Sequence, residues 1–189
     1  MIAFVFSGGG SRGALQVGAL RALLERGIVP DLVVGTSVGG INAVALAADP
    51  SLANINRMET LWRQTRRTDI YPGSRVQIAW RVATGKGSLY PNEGLKRHLY
   101  RHITSTAESF ADLTLPCYIV ATNLDTGAMR VLGGRPIDSV LDALMATTAL
   151  PPLHPPYPLD DGEYVDGGTT ALLPIEVAIE HGAREVYAL

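Results

Sequence analysis

Apolar positions at the start of the chain follow two different periods. Residues 2–6 form a continuous apolar run, too short for a helix and followed by glycines 8–10, which predicts a buried strand. Over 13–26, Leu15, Val17, Leu20, Leu23 and Leu24 return at helical spacing, and Gly27 is a natural stop. Residues 32–34 predict a second strand, and 38–48 a helix of small apolar residues that Asp49-Pro50 ends. This β-α-β-α opening implies parallel strands with helices across the faces. Neither strand alternates apolar with polar residues, as expected of strands buried on both sides.

The pattern then changes. Residues 51 to about 112 carry long helical periods, broken at Tyr71-Pro72-Gly73 and at Gly85-Lys86-Gly87. They predict a helical insertion over the sheet. Strand signals return at 117–123 and 129–132, joined by a turn at Asp125-Thr126-Gly127. A helix over about 137–147 follows, then Tyr164-Val165 leading into Asp166-Gly167-Gly168. The run 174–180 is helical, with His181-Gly182 as its stop, and 185–189 begins another strand. An apolar strand is an odd terminus, so a fragment of a longer protein is expected. The expected architecture is one α/β domain over 1–189, in three α/β/α layers with a mostly parallel central sheet. The helical insertion covers the active site.

Composition narrows the possible functions. The 189 residues are 47% apolar and 18% charged, an ordinary globular balance long enough to bury a core. A net charge of -2 argues against a nucleic-acid binder. Cys117 is the one cysteine, and the apolar run around it predicts a core residue rather than a reactive thiol. The first residues lack a basic segment and read as a strand, not a signal peptide. No stretch approaches the roughly 20 apolar residues of a membrane span. A cytoplasmic protein is expected, and a charge asymmetry adds a peripheral membrane contact. Between Ser51 and His102 there are 10 Lys and Arg against 3 Asp and Glu, while the remainder carries 6 against 15. The basic segment suits either a solvated helical surface or a face that meets anionic lipid headgroups.

Three loops carry candidate chemistry. Gly8-Gly9-Gly10-Ser11-Arg12-Gly13 follows a strand and opens a helix. Glycines let the backbone approach a ligand closely, and N–H groups at a helix start favour negative charge. That suits the oxyanion of acyl transfer. It suits a dinucleotide phosphate equally, since Gly8, Gly10 and Gly13 satisfy G-x-G-x-x-G and Asp31 lies downstream as a ribose ligand. Gly35-Thr36-Ser37-Val38-Gly39 matches G-x-S-x-G between a strand and a helix, where a serine nucleophile sits on a sharp turn that bulky neighbours would obstruct. Asp166-Gly167-Gly168 places a carboxylate at a strand end, a turn or a candidate general base. A Ser-His-Asp triad would need a histidine. His98 and His102 lie four apart on a helix, a spacing compatible with a metal but more simply a solvated face. His154 lies among prolines, and His181, at a helix end, follows Asp166 in the order Ser, Asp, His. Residue 37 is early for the nucleophile of an α/β-hydrolase.

Taken in order, G-G-G-x-R-G, G-x-S-x-G and D-G-G resemble the patatin-like phospholipase family. The segments 88–95, 121–127 and 146–151 resemble it too, so the likeness spans nearly the whole chain. The resemblance implies a lipid acyl hydrolase with a Ser-Asp dyad and neither metal nor cofactor. Ser37 would be the nucleophile and Asp166 the base. The amides of Gly8, Gly9 and Gly10, with Arg12 and Gly13 beside them, would form the oxyanion hole. Gly35 and Gly39 would shape the nucleophile turn, and Gly167 and Gly168 would support the base. The implied partner is a lipid or other acyl ester. One position departs from the pattern: after Gly168 comes Thr169-Thr170-Ala171-Leu172-Leu173-Pro174, where relatives often carry asparagine before the proline.

Overall fold

The two apolar runs at the start of the chain lie side by side. In the computed structural model, which describes residues 1–104 and 107–189, β1 (Ile2–Phe6) and β2 (Leu32–Thr36) pair in parallel, Ala3 beside Leu32 through Phe6 beside Gly35. Helix α1 (Gly13–Leu24) links them, and α2 (Val38–Ala48) leaves the end of β2. Four helices follow: α3 (Leu52–Gln64), α4 (Arg67–Ile70), α5 (Arg75–Ala83) and α6 (Glu93–His102). The chain then returns through β3 (Cys117–Asn123), β4 (Met129–Leu132), α7 (Val140–Thr147), β5 (Tyr157–Leu159), β6 (Gly162–Asp166), α8 (Ile175–Glu180) and β7 (Glu185–Ala188).

Among the described residues one seven-stranded sheet forms, in the order β5-β6-β3-β2-β1-β7, with β4 also on β3. Its centre, β7-β1-β2-β3, is parallel, as the β-α-β-α opening requires. The strands β4, β5 and β6 are antiparallel to their neighbours. Part of the reason is local. The side chain of Asn123 accepts the Asp125 and Thr126 amides at 3.1 and 2.9 Å, and Gly127 takes φ +70°, so the chain reverses in a turn too short for a parallel crossover.

Side chains alternate across the sheet. Phe4, Phe6, Val33 and Ile119 point to one face, where they pack with α1, α2, α3, α6 and α7. Ala3, Val5, Leu32, Val34 and Val120 point to the other, where Val177 and Ala178 of α8 cover them. Each large side chain buried this way contributes about 1.5–3 kcal/mol, enough to make the central strands a rigid platform. Cys117 is buried in the first of these clusters, and burial pushes its thiol pKa up.

Three local details depart from expectation. Helix α7 begins at Val140 rather than near 137, because the Ser139 side chain accepts the Asp142 amide and caps it there. Strand β2 runs two residues further, to Thr36, because both its neighbours continue to pair with it. Strand β5 carried no clear signal. It has three residues with Pro158 in the middle, and it pairs on one side only, with β6.

Register brings two distant loops together. Strand β3 has two edges and three partners. Because β4 occupies residues 119–122, it cannot share an edge with β2 at 117–120 or with β6 at 121–123. Both β2 and β6 therefore lie on the other edge, running toward each other. Thr36 ends beside Val120 and Asp166 ends beside Ala121. The next residue after Thr36 is Ser37.

Candidate active site

Ser37 is the non-glycine residue with positive φ among the described residues, at φ 55° and ψ -128°. That conformation is costly for any residue with a Cβ, and the flanking glycines explain why the turn still closes. A Cβ on Gly35 would lie 2.4 Å from the Gly39 carbonyl oxygen, and one on Gly39 would lie 2.5 Å from that of Phe6. Neither position has room for a side chain. A residue without a role in the sequence reading, Thr147, completes the turn. Its hydroxyl accepts the Ser37 amide at 2.8 Å and donates to the Val120 carbonyl. The nucleophile turn is thereby tied to β3, the strand on which β6 and its Asp166 pair. On the other side the Thr36 hydroxyl donates to the Ala171 carbonyl at 2.8 Å.

Asp166 is 6% exposed. Desolvation raises its pKa above the ordinary carboxylate value, against the opposing pull of hydrogen bonds from the Ser37 hydroxyl and the Gly168 amide. The Gly168 N–H donates to Oδ1 at 2.8 Å. Gly167 is a packing necessity, since a Cβ there would meet the Val120 carbonyl oxygen at 2.1 Å. A hydroxyl pair and a backbone bond hold the loop after it. Thr170 and Thr122 share a hydrogen bond of 2.9 Å, and the Ala171 amide donates to the Gly167 carbonyl at 2.8 Å.

The first glycine loop divides its work. The Gly8 amide is already taken by the Leu172 carbonyl at 2.9 Å, so Gly8 is not an open oxyanion donor. Its value is closeness: a Cβ on it would stand 3.4 Å from that of Ser37. Gly13 is also a packing site, because a Cβ there would strike Val38 at 2.6 Å and Trp62 at 2.8 Å. The amides of Gly9 and Gly10 meet no acceptor among the described residues. The Gly9 carbonyl accepts from the Arg12 amide at 3.2 Å and from its Nε at 3.4 Å. In a planar trans peptide this turns the Gly10 N–H the opposite way. Asp31 does not belong here. It binds the Ile2 amide at 2.7 Å, at the strand starts, while the glycine loop lies at the strand ends. The phosphate-and-ribose arrangement expected of a dinucleotide site is therefore absent.

A cavity of about 580 Å³ opens on these residues. Ser37, Asp166, Gly10 and Ser11 line it together with Arg66, Arg67, Tyr71 and His154, and its remaining walls include Val38, Ile41, Met58, Leu61, Trp62 and Leu99. Its lining is largely apolar. Among the described residues no histidine hydrogen-bonds to Ser37 or Asp166. The His181 ring lies tilted against that of Tyr118, centroids 3.8 Å apart, and its Nδ1 lies 2.7 Å from the Val177 carbonyl of α8. His154 lines the cavity, but it stacks on Tyr71 at 5.3 Å, and neither ring nitrogen has a side-chain partner. Burial lowers its pKa, with the Pro91 carbonyl pulling the other way. His98 lies 3.3 Å from the Thr65 hydroxyl and its ring is 4.8 Å from that of His102. Among the described residues no three His, Cys, Asp or Glu side chains gather as a metal ion needs.

Comparison with known proteins identifies the family and the fold. The sequence model described as "Patatin-like phospholipase" matches residues 4–179. Human patatin-like phospholipase domain-containing protein 6 is 30% identical over 189 residues, covering 100% of this chain and 13% of the relative. Lysophospholipase NTE1 of Mycosarcoma maydis is 30% identical over 196 residues, covering 100% of this chain and 9% of its own. The chain thus spans a small part of these curated relatives. Two solved structures share the fold. VipD from Legionella pneumophila aligns with a TM-score of 0.62 at 17% identity, over 88% of this chain and 45% of that one. A chain of the SpcU–ExoU complex from Pseudomonas aeruginosa aligns with a TM-score of 0.55 at 19% identity, over 80% and 38%.

Proposed function

The chain belongs to the patatin-like phospholipase family, and from that premise we propose that it cleaves acyl esters of lipids through a Ser37–Asp166 dyad. The observation that carries the reading is the meeting of β2 and β6 on one edge of β3, which sets the serine and the carboxylate at the mouth of a largely apolar cavity. The serine hydroxyl gives its proton to Asp166 as Oγ bonds to the ester carbonyl carbon. The carbonyl oxygen becomes an oxyanion. The Gly9 and Gly10 amides receive it, with Arg12 orienting the peptide between them; such a donor is typically worth about 3 kcal/mol. The carbon–oxygen bond to the alcohol then breaks, and protonated Asp166 returns its proton to the leaving alkoxide. Water, deprotonated by Asp166, attacks the acyl-enzyme and frees the acid and Ser37. The raised pKa of Asp166 favours this, because a more basic carboxylate is a better proton acceptor.

The acyl chain fits the apolar walls beyond Ser37, and a relative named as a lysophospholipase makes a lysophospholipid a sensible first substrate. The basic segment between Ser51 and His102 gives electrostatic attraction to an anionic lipid surface. Among the described residues no helix is long and apolar enough to cross a membrane. The test is a lipid panel with wild type, Ser37→Ala and Asp166→Asn, beside fluorophosphonate labelling. Wild type should be labelled at Ser37 and release fatty acid, and both variants should not. Full activity in Ser37→Ala sinks the proposal.

A further inference from the structure

Helix α5 is turned inside out relative to an ordinary surface helix. Val76, Ala79, Trp80 and Ala83 recur at i, i+3, i+4 and i+7, which places them on one stripe, and all four are exposed, Val76 by 77% and Trp80 by 70%. Arg81 does the opposite. Its guanidinium turns inward, donating to the Ser88 carbonyl and hydroxyl at 3.0 Å each. A soluble helix buries its apolar stripe and exposes its charge. This one is held in shape by its own termini: the Ser74 hydroxyl accepts the Gln77 amide at 3.3 Å, the Gln77 side chain accepts the Ser74 amide at 2.8 Å, and Gly85 at φ +67° follows its last turn. It therefore keeps its form without packing the stripe against the domain.

Charge identifies what the stripe meets. From Ile70 to Asn92 the chain contains Arg75 and Lys86, besides the inward-turned Arg81, and no aspartate or glutamate. A basic segment with an exposed tryptophan and small apolar residues matches the boundary between anionic headgroups and acyl chains. Position agrees. The loop after α5 is tied to the active-site rim, with the Leu89 and Tyr90 amides donating to the Pro152 and Leu153 carbonyls at 2.8 and 2.9 Å, next to His154 in the cavity wall. Exposed apolar residues also border the mouth. Leu150 lines the cavity, and Leu172 lies against Gly8 and Gly168.

We propose that α5 lies flat on an anionic bilayer, with Val76 and Trp80 inserted among the acyl chains, and so sets the mouth of the Ser37 cavity against the lipid surface. The inference rests on the lipid-hydrolase reading but is measured apart from it. The full chain is sedimented with vesicles of equimolar phosphatidylcholine and phosphatidylserine, and with phosphatidylcholine alone. Wild type and Ser37→Ala should bind the mixed vesicles equally and the neutral ones far less. The double variant Val76→Ser/Trp80→Ser should partition roughly tenfold or more weakly, with an unchanged melting curve. Mixed vesicles should shift the tryptophan emission to the blue, and Trp80→Phe should lose that shift while still sedimenting. Equal binding of the double variant and wild type overturns the proposal, as does no binding to mixed vesicles. Concentration-dependent dimerisation that Trp80→Ser abolishes assigns the stripe to a second copy instead, and also overturns it. If Ser37 resists fluorophosphonate while vesicle binding behaves as stated, the hydrolase reading fails and the docking surface stands.

Discussion

Strain at Ser37 can be separated from its chemistry by comparing two replacements of the same residue. Ser37→Ala and Ser37→Gly both remove the hydroxyl that faces Asp166, so the loss of that hydrogen bond is common to both. They differ in the Cβ. At φ 55° and ψ -128° a residue with a Cβ is held at a cost of about 1–3 kcal/mol. Glycine escapes that cost but gives up more chain entropy on folding, about 0.5–1 kcal/mol. The balance favours glycine over alanine by about 1 kcal/mol, which in a chain of this length raises the melting temperature by about 2–4 °C. Urea denaturation of both variants, at one pH and with equal m-values, reads the difference directly. Both should be inactive on a soluble aryl ester, so a stability gain arrives with no gain in function. If Ser37→Gly is no more stable than Ser37→Ala, the turn stores no strain and this account of its geometry is wrong.

Other consequences are equally direct. Burial raises the Asp166 pKa above the ordinary carboxylate value it has when unfolded, so the stability its proton contributes is complete below that ordinary value and lost as pH rises through the raised one. At neutral pH Asp166→Asn should therefore melt above wild type, with the gain shrinking in acid, while turnover disappears; wild-type kcat/KM should climb as pH rises through the raised pKa. Gly39→Ala forces a Cβ to within 2.5 Å of the Phe6 carbonyl and should cost about 3 kcal/mol, whereas Gly18→Ala on α1, with open space around it, should gain about 0.5–1 kcal/mol. A urea series on the pair checks both signs. Thr147→Val leaves the Ser37 amide without its acceptor and should lose about 1–3 kcal/mol and most of the turnover, with Thr147→Ser restoring both. His181→Ala, next to α8, should keep wild-type kcat and fluorophosphonate labelling; loss of either in a folded protein would revive a histidine triad.

Residues whose role is imposed by their immediate neighbours along the chain could be seen in the sequence, and residues whose role is imposed by register could not. Gly35 and Gly39 flank Ser37 in a short strand-turn-helix segment, and the crowding that excludes a side chain at Gly35 comes from Gly39 and Gly40 themselves. Asp166-Gly167-Gly168 was recognisable only beside the other two loops, because alone it is an ordinary turn and what crowds Gly167 is Val120 of β3. Thr147 was not, because its partners Ser37 and Val120 are joined to it only when α7 packs on β3. Nor did spacing reveal that Leu172 takes the Gly8 amide, since that bond spans the sheet from the first loop to the loop after Asp166. Helix α5 was expected simply as part of a helical stretch, because periodicity reports which residues share a face and says nothing of which way that face points. The same distinction explains why no histidine is needed on the proposed reading. A histidine's ordinary pKa already lies near neutrality, but a carboxylate must acquire such a value from its surroundings. Here β3 supplies those surroundings by seating β2 and β6 end to end, which buries Asp166 at the position where it meets Ser37. Burial raises its basicity and proximity aims it, and both follow from one register.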